Sequence, residues 1–453
     1  MSETIQIREQ AALDDLLAAG IAPGTVVSLE GRFDRLPIID VHGDTDVDIV
    51  FTAPRRGAAV VNPCKTIGKN TARWTHRDDV GPYVWATELG PDDVADNGVC
   101  TGYSLVVMDG QVPMVLVGTD PTRKANGAAI YDETWRVIFG EDPEDLQINQ
   151  FFFDPSDSLL YVCVYNNPAW HTWQMGGSAE SHLDLRGSSH VRVENLVFNG
   201  PNRETGQQHA KCSVHTCRDV VIADCDISFS DHKLLSLYDS RNCEVHGCDI
   251  RQAGCTGIGM NSCVDCLISD CNVSDTGWRH FVPRGISAGM KLVPNNEACR
   301  VQFCRITRCE YHGIWWDIGC TACMTEVNVV SDVTGPAYRW ESKSTHGRSV
   351  GDVADRCFRG VYCNNGVSDM LVEGFRASDC GEGVTFANDT AGNNQVRECS
   401  FSDNDVMDIY LPDPALFPAA AKGNVCRDNL FAGPPKVGHP WGKPLPEGAW
   451  PYK

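Results

Sequence analysis

The chain has 453 residues and a formal net charge of −22 at pH 7, so it is strongly acidic. Nucleic-acid binding rewards basic patches, and this charge therefore argues against a nucleic-acid partner; it argues less strongly against a polyanionic substrate, since a local basic cleft can overcome it. There is no run of about 20 apolar residues to span a membrane, and the first residues lack the basic and apolar regions of a secretory signal, so the sequence predicts a cytoplasmic protein.

The N-terminal part predicts a cap followed by strands. Residues 11–20, AALDDLLAAG, predict a short amphipathic helix that ends on glycine and covers the open end of a solenoid. Residues 26–29, VVSL, and residues 48–51, DIVF, are interpreted as the first strands. Residues 1–81 are therefore interpreted as an N-terminal cap with the first coils.

Residues 82–175 interrupt the pattern. They carry many aromatic residues among turn residues, which predicts an inserted, antiparallel β-rich and sandwich-like unit.

The next part of the chain is repetitive. Cys225, Cys248, Cys271 and Cys304 open similar segments, with an insertion in the last interval, and later strand-like runs end at 317, 341, 364 and 387. A period of 23 or 24 residues with glycine and asparagine turns indicates a β-solenoid. The prediction is an all-β, right-handed parallel β-helix over residues 176–432, followed by an irregular tail over 433–453.

The 22 cysteines have two readings. The CxxC pairs at 263/266 and 320/323 have metal-type spacing. However, several thiols recur at the coil period, which favours small, buried, reduced core residues. We therefore predict no metal and no cofactor.

Alternation within the runs assigns their faces. Side chains of a strand point alternately to its two sides. The inward set is Ile258, Met260, Ile314, Trp316, Tyr338, Trp340, Val361 and Val384. The outward column that ends each run is Asp239, Asn261, Val293, Asp317, Glu341 and Asn364, with His215 as an earlier member. The outward column two residues earlier is Leu237, Gly259, Lys291, Trp315, Arg339 and Tyr362.

Asp317 and Glu341 are the chemically telling pair in these columns. Equivalent residues of consecutive coils stack about 4.7–4.9 Å apart, and two carboxyl groups about 5–5.5 Å apart are what a retaining glycosidase needs. Asp317 is predicted as the nucleophile, with Lys291 keeping it ionised and Trp315 offering a face to a sugar ring. Glu341 is predicted as the acid/base, because the neighbouring ionised aspartate favours its protonated form.

The other outward residues are candidate substrate contacts. Arg339 opposes protonation of Glu341 and is instead assigned to substrate hydroxyls. Asp239, Asn261 and Asn364 are further candidates for hydroxyl contacts. His215, His312 and His346 are candidates to line the cleft.

The strings GIWWD at 313–317 and YRWES at 338–342, followed by His346-Gly347, resemble the paired motifs of glycoside hydrolase family 120, a β-xylosidase family on the β-helix fold. The resemblance implies Asp317 as nucleophile and Glu341 as acid/base. This chain has additional residues between the glutamate and the His-Gly pair.

The sequence therefore predicts a retaining glycoside hydrolase that acts on short neutral oligosaccharides, with exo action and a β-xyloside as the expected substrate. A polysaccharide lyase would use Lys291 or Arg339 as base, often with calcium, and a transglycosylase would use the same carboxylates. A non-catalytic carbohydrate-binding solenoid needs no such pair. Assembly into a homo-oligomer stays open.

Overall fold

The structure is a computed structural model that describes residues 3–45, 47–89, 105–117, 142–154, 156–176, 181–200, 210–230, 232–278 and 287–438. Three long parallel sheets, here named A, B and C, wind around one core. Each coil contributes one strand to each sheet, and each strand pairs with its counterpart on the next coil. This is the predicted right-handed parallel β-helix.

The strands of each sheet follow in chain order. Sheet A contains Thr4–Ile7, Val26–Leu29, Ile49–Thr52, Ser189–Glu194, Arg218–Ala223, Glu244–His246, Leu267–Ser269, Arg300–Gln302, Met324–Glu326, Arg348–Val350, Leu371–Glu373, Gln395–Arg397 and Val425–Arg427. Sheet B contains Gly31–Phe33, Ala59–Val61, Val197–Phe198, Asp226–Ser230, Asp249–Ala253, Asn272–Ser274, Arg305–Thr307, Val329–Ser331, Val353–Asp355, Arg376–Ser378, Ser400–Ser402 and Leu430–Phe431. Sheet C contains Leu36–Ile39, Leu183–Arg186, Cys212–His215, Lys233–Tyr238, Thr256–Asn261, Ala288–Leu292, His312–Trp316, Pro336–Trp340, Arg359–Cys363, Glu382–Phe386, Met407–Tyr410 and Val437–Gly438.

The core of the β-helix contains the residues that alternation assigned to it. All eight predicted inward residues, from Ile258 to Val384, are buried in a single hydrophobic cluster. Trp316 and Trp340 stack there with ring centroids 5.4 Å apart and planes 17° apart. These stacked rings anchor two adjacent strands of sheet C from inside.

The insert forms a separate, mainly antiparallel sheet, of which eight strands lie in the described residues. In sheet order they are Lys65–Ile67, Trp173–Gly176, Leu105–Met108, Val112–Leu116, Gln150–Asp154, Leu159–Cys163, Val84–Glu88 and Thr75–His76. Two of these strands precede residue 82, where the sequence suggested that the insert begins. Short polar strands such as Thr75–His76 lack the apolar alternation that would identify them.

Helices are few and short. The α-helix Gln10–Ala19 places Leu13 in the main core cluster, with Leu16 and Leu17 packed against it, as a cap requires. The other helices in the described part of the chain are the α-helix Pro418–Ala421 and the 3-10 helices Pro143–Asp145 and Pro168–Trp170. Within the described ranges, no helix has the length and apolar character to cross a membrane.

The predicted tail begins with a strand in its described part. Val437–Gly438 extends sheet C by pairing with Met407–Tyr410. The remainder, residues 439–453, lies outside the described residues.

The cysteines are core residues. All 21 cysteines in the described ranges are buried thiols, and none of them forms a disulfide. In the column that starts at Cys225 and Cys248, each Sγ donates to the carbonyl two residues earlier, at 3.2 and 3.3 Å. In this part of the chain, no group of three or more His, Cys, Asp or Glu residues is arranged to hold a metal ion.

In several coils, a glycine marks the corner where the chain enters sheet C. A Cβ built at Gly313 would overlap the carbonyl oxygen of Ala337 and the Cγ1 atom of Val330 in sheet B. Gly289 meets Ile306 in the same way. The corner residue therefore points inward, as does the next residue, Ile314. Two consecutive inward positions shift the alternation at the start of the strand.

Candidate active site

Asp317 and Glu341 follow two paired strands of sheet C. Trp316 pairs with Trp340 in the parallel register. The amide of Asp317 donates to Leu292 at 3.1 Å, and the amide of Glu341 donates to Trp316 at 2.9 Å, so the parallel hydrogen bonding continues past the strand ends. The two acids therefore occupy equivalent positions on adjacent coils, separated by one interstrand spacing of about 4.8 Å.

Glu341 is held through one of its two carboxylate oxygens. Arg339 Nη2 donates to Oε1 at 2.7 Å, and Asn364 Nδ2 donates to the same oxygen at 3.1 Å. The side chain is only 15% exposed. Within the described part of the chain, Oε2 accepts no hydrogen bond, so Oε2 is the oxygen available for proton transfer.

Asp317 has a similar division between its oxygens. The residue is only 7% exposed. Its Oδ1 accepts a hydrogen bond from the backbone amide of Ile318 at 2.9 Å. No described donor reaches Oδ2. Lys291 lies on the preceding coil. Burial has the largest effect on the pKa of Lys291 and lowers it to about 8, whereas attraction to Asp317 acts in the opposite direction. One oxygen of Asp317 is thus fixed, and the other is free to react.

Trp315 does not offer the predicted sugar platform. Its residue is only 4% exposed. Lys291 Nζ lies 3.7 Å and Arg339 Cζ lies 4.8 Å from its ring centroid. Since these cations belong to the coils before and after Trp315, both faces of the ring are covered. Trp315 instead lies between Lys291 and Arg339.

A cavity of about 330 Å³ opens on the N-terminal side of Asp317. Two predicted contacts, Asn261 and Lys291, line it together with Asp317. Gly259 forms part of its wall without adding a side chain. The remaining lining residues are His232, Lys233, Ser236, Tyr238, Cys255, Met260, Val293, Pro294 and Ile318.

The register corrects the earlier members of the two columns. Tyr238, not Asp239, pairs with Asn261, and Ser236, not Leu237, pairs with Gly259. Asp239 lies in the following turn, where its φ of 47° is left-handed, and Leu237 is buried. The strand is one residue shorter than the sequence pattern suggests because the turn begins at Asp239.

His215 and His346 have different positions. His215 pairs with Tyr238, and their rings stack with centroids 4.6 Å apart. Because Tyr238 pairs with Asn261, His215 belongs to the same column as Asp317 and lies two coils before Asn261. His346 lies in the turn that leads into sheet A, with a φ of 55°, and its Nδ1 contacts Thr345 Oγ1 at 3.0 Å. The structure therefore places His346 apart from the sheet C face that carries the carboxylates.

His312 contributes more directly than its sequence position suggested. Its Nε2 lies 3.0 Å from Arg339 Nη1, and its ring packs edge-on against Trp315 at 4.6 Å. Simple alternation counted back from the inward Ile314 would place His312 inside. The inward corner at Gly313 reverses this assignment, and the recurring glycine before the apolar pair is the signal that could have revealed it.

Comparisons with known proteins support the fold. Residues 210–349 match the family model described as a right handed beta helix region. A comparison with curated proteins finds no match. The solved structure of XylC in complex with xylose is 11% identical, with a TM-score of 0.56, and the alignment covers 96% of this chain and 75% of that one.

Two further structures have the same architecture. One, described as a glycoside hydrolase, is 10% identical with a TM-score of 0.57, and the alignment covers 95% of this chain and 97% of that one. The catalytic domain of a GH87 alpha-1,3-glucanase in complex with nigerose is 9% identical with a TM-score of 0.50, covering 99% of this chain and 66% of that one. At these identities the likeness establishes a shared β-helix.

Proposed function

We propose that the protein is a retaining glycoside hydrolase that acts on short oligosaccharides. The observation that carries this proposal is the stacking of Asp317 and Glu341 at equivalent positions of adjacent coils, beside a cavity. A separation of one interstrand spacing agrees with the carboxylate distance of about 5–5.5 Å used in double displacement. An inverting enzyme needs room for a water molecule between more widely spaced carboxylates.

In the first half of the reaction, Asp317 Oδ2 attacks the anomeric carbon and Glu341 Oε2 gives its proton to the departing glycosidic oxygen. In the second half, Glu341 takes a proton from water, whose oxygen displaces Asp317 from the sugar. Arg339 and Asn364 hold Oε1 throughout, so they orient the proton-carrying oxygen. Lys291, on the preceding coil, attracts the Asp317 carboxylate.

The cavity favours exo action on a small sugar. It begins at Asp317 and extends over the earlier coils, whereas Glu341 lies one coil later, outside its lining. The sugar that is transferred therefore belongs in the cavity, and the leaving group departs towards Asn364. Tyr238, Asn261 and Ser236 are the uncharged polar residues available there for hydroxyl groups.

The charge arrangement favours a neutral sugar. Lys291 lies on Trp315, Arg339 pairs with Glu341, and Arg359 pairs with Glu382 through two hydrogen bonds of 2.6 and 3.1 Å. These three cations are already neutralised or stacked within the protein, and Lys233 in the cavity lining also has an interaction there. A β-xyloside is the first substrate to test, given the resemblance of the two motifs to family 120 and the xylose-bound structure with the same fold. A lyase would need a cation for the uronate carboxylate.

The test is a screen of nitrophenyl glycosides with wild type, Asp317→Asn and Glu341→Gln. We expect Asp317→Asn to lose detectable turnover and Glu341→Gln to lose about 10²- to 10⁴-fold on substrates whose leaving group needs a proton. The matched control is Glu326→Gln, which changes a glutamate in sheet A and should keep wild-type activity.

Product analysis then decides the mechanism. NMR of the first product should show the anomeric configuration of the substrate, and azide should restore glycosyl transfer in Glu341→Gln because it needs no base. Activity that survives both substitutions would refute the site, and an inverted first product would refute double displacement. Unsaturated sugar products would assign the protein to the lyases.

A further inference from the structure

His312 begins its strand of sheet C and lies under the guanidinium of Arg339. The residue is buried, and its Nε2 lies 3.0 Å from Arg339 Nη1. The ring also packs edge-on against Trp315, with centroids 4.6 Å apart. His312 thus contacts the residue that binds Glu341 without touching Glu341 itself.

The charge state of His312 fixes the direction of this hydrogen bond. Burial lowers the pKa of His312 well below its usual value, and the nearby Arg339 and Lys291 lower it further. The imidazole is therefore neutral. Because a guanidinium has only donors, Nε2 must be the accepting nitrogen, and the ring proton lies on Nδ1.

Arg339 consequently divides its donors between two partners. Nη1 donates to His312, and Nη2 donates to Glu341 Oε1 at 2.7 Å. An arginine beside a carboxylate otherwise prefers a fork that occupies both oxygens. The same sheet face provides an internal comparison, since Arg359 binds both oxygens of Glu382. The described contacts of Arg359 include no histidine.

We propose that His312 is a positioning residue that holds Arg339 in a one-oxygen contact with Glu341 and so keeps Oε2 free to carry the proton. This inference rests on the proposed function for its catalytic meaning. Without His312, the guanidinium would turn and fork both oxygens of Glu341, as Arg359 does at Glu382. The carboxylate would then remain paired and would lose its free oxygen.

The first test is structural and does not depend on activity. Crystal structures of His312→Ala and His312→Gln are compared with wild type. We expect Arg339 to contact both oxygens of Glu341 in His312→Ala. In His312→Gln, the amide oxygen replaces Nε2 as acceptor, so the contact through Oε1 alone should persist. An unchanged one-oxygen contact in His312→Ala would overturn the proposal, even if the protein hydrolyses no glycoside.

The second test measures the catalytic consequence. With an alkyl or sugar leaving group, His312→Ala should lose about 10²-fold in kcat with little change in KM. With a dinitrophenyl leaving group, which departs without a proton, its glycosylation rate should stay near that of wild type. His312→Gln should recover most of the loss.

Controls separate positioning from general damage. His246→Ala removes a histidine from sheet A and should leave both substrates unaffected. An equal loss on both leaving groups, or a failure of His312→Gln to recover, would overturn the positioning role. If wild type lacks glycosidase activity, the proposed function fails, and the crystal structures alone decide whether His312 directs Arg339.

Discussion

At the scale of single residues, Lys291 is a partly buried cation that interacts with Asp317. Its ammonium lies over Trp315, 3.7 Å from the ring centroid, on the coil before the proposed nucleophile. Burial is the largest influence and lowers the pKa of Lys291 to about 8; attraction to Asp317 is the next influence and opposes that change. Cys255 and Glu341 also raise this pKa, and Lys233 lowers it. Lys291 is therefore charged below about pH 8 and neutral above it.

This titration predicts a loss of activity on the alkaline side. The substrate is a dinitrophenyl glycoside, because its leaving group departs without a proton from an acid. For this substrate, kcat/KM should fall as the pH rises through about 8, because Lys291 loses its positive charge beside Asp317. Lys291→Met should be at least tenfold slower at neutral pH, equivalent to about 1.4 kcal/mol. It should show no further fall near pH 8. Lys343→Met, in an exposed turn, is the control; a Lys291→Met profile equal to that of wild type would contradict this role.

At the scale of the strand, the corner glycines of sheet C determine which side chains reach the site. Gly313 faces Val330 across the core, and one coil later Ala337 occupies the equivalent corner. There, the residue that pairs with Val330 is Ala354. A methyl group at the corner is thus accommodated where the facing residue is smaller.

Gly313→Ala should therefore destabilise the protein, because its Cβ would overlap Val330 and the carbonyl of Ala337. Overpacking of this kind costs about 1–3 kcal/mol. The measurement is the midpoint of urea unfolding, and Gly313→Ala with Val330→Ala should recover part of the loss. Gly259→Ala is the matched control, since its Cβ would have no neighbour closer than 3.6 Å. Equal midpoints for the two single variants would disprove the steric role of the corner.

The same corner explains how far the sequence could predict the fold and the candidate site. The period identified the β-helix, and two-residue alternation placed Trp316 and Trp340 correctly in the core. Alternation cannot register the extra inward residue at Gly313, so His312 was left as a generic cleft histidine. Alternation also cannot show where a left-handed turn begins, and for this reason Asp239 was wrongly assigned to the strand.

Contacts between side chains were harder to predict from the sequence than the positions of residues on the strands. Trp315 was correctly placed on the outer face, but its burial depends on two long cations from neighbouring coils. A related limit concerns the cysteine column, which continues after Cys304 with two buried polar residues, Asn328 and Asp352. 

The backbone amide of Cys304 donates to Asn328 Oδ1 at 2.9 Å, and the backbone amide of Asn328 donates to Asp352 Oδ1 at the same distance. Such substitutions depend on hydrogen bonds between coils, which a one-coil pattern does not contain.

At the scale of the whole molecule, a solenoid is stabilised by contacts between neighbouring coils, and its ends are exposed edges. The N-terminal end is covered by the α-helix Gln10–Ala19, which places Leu13 in the core cluster of the β-helix. The first strand of sheet A, Thr4–Ile7, precedes this helix and pairs only with Val26–Leu29 among the described strands. The cap therefore protects the start of a stack whose active-site coils lie far along the chain.

Leu13→Asp should detach this cap, since it removes a buried apolar side chain and puts an unpaired charge in its place. Loss of the leucine contacts alone costs about 2–5 kcal/mol, and burying the charge adds to it. We expect a lower midpoint of thermal unfolding and concentration-dependent self-association in light scattering, because uncovered strand edges pair with other chains. Ala12→Asp adds the same charge at the exposed neighbouring position and should behave like wild type.

Since coupling in a solenoid acts mainly between adjacent coils, glycosidase activity measured well below the unfolding transition should survive in Leu13→Asp. Equal midpoints for the two aspartate variants would show that the helix does not act as a cap.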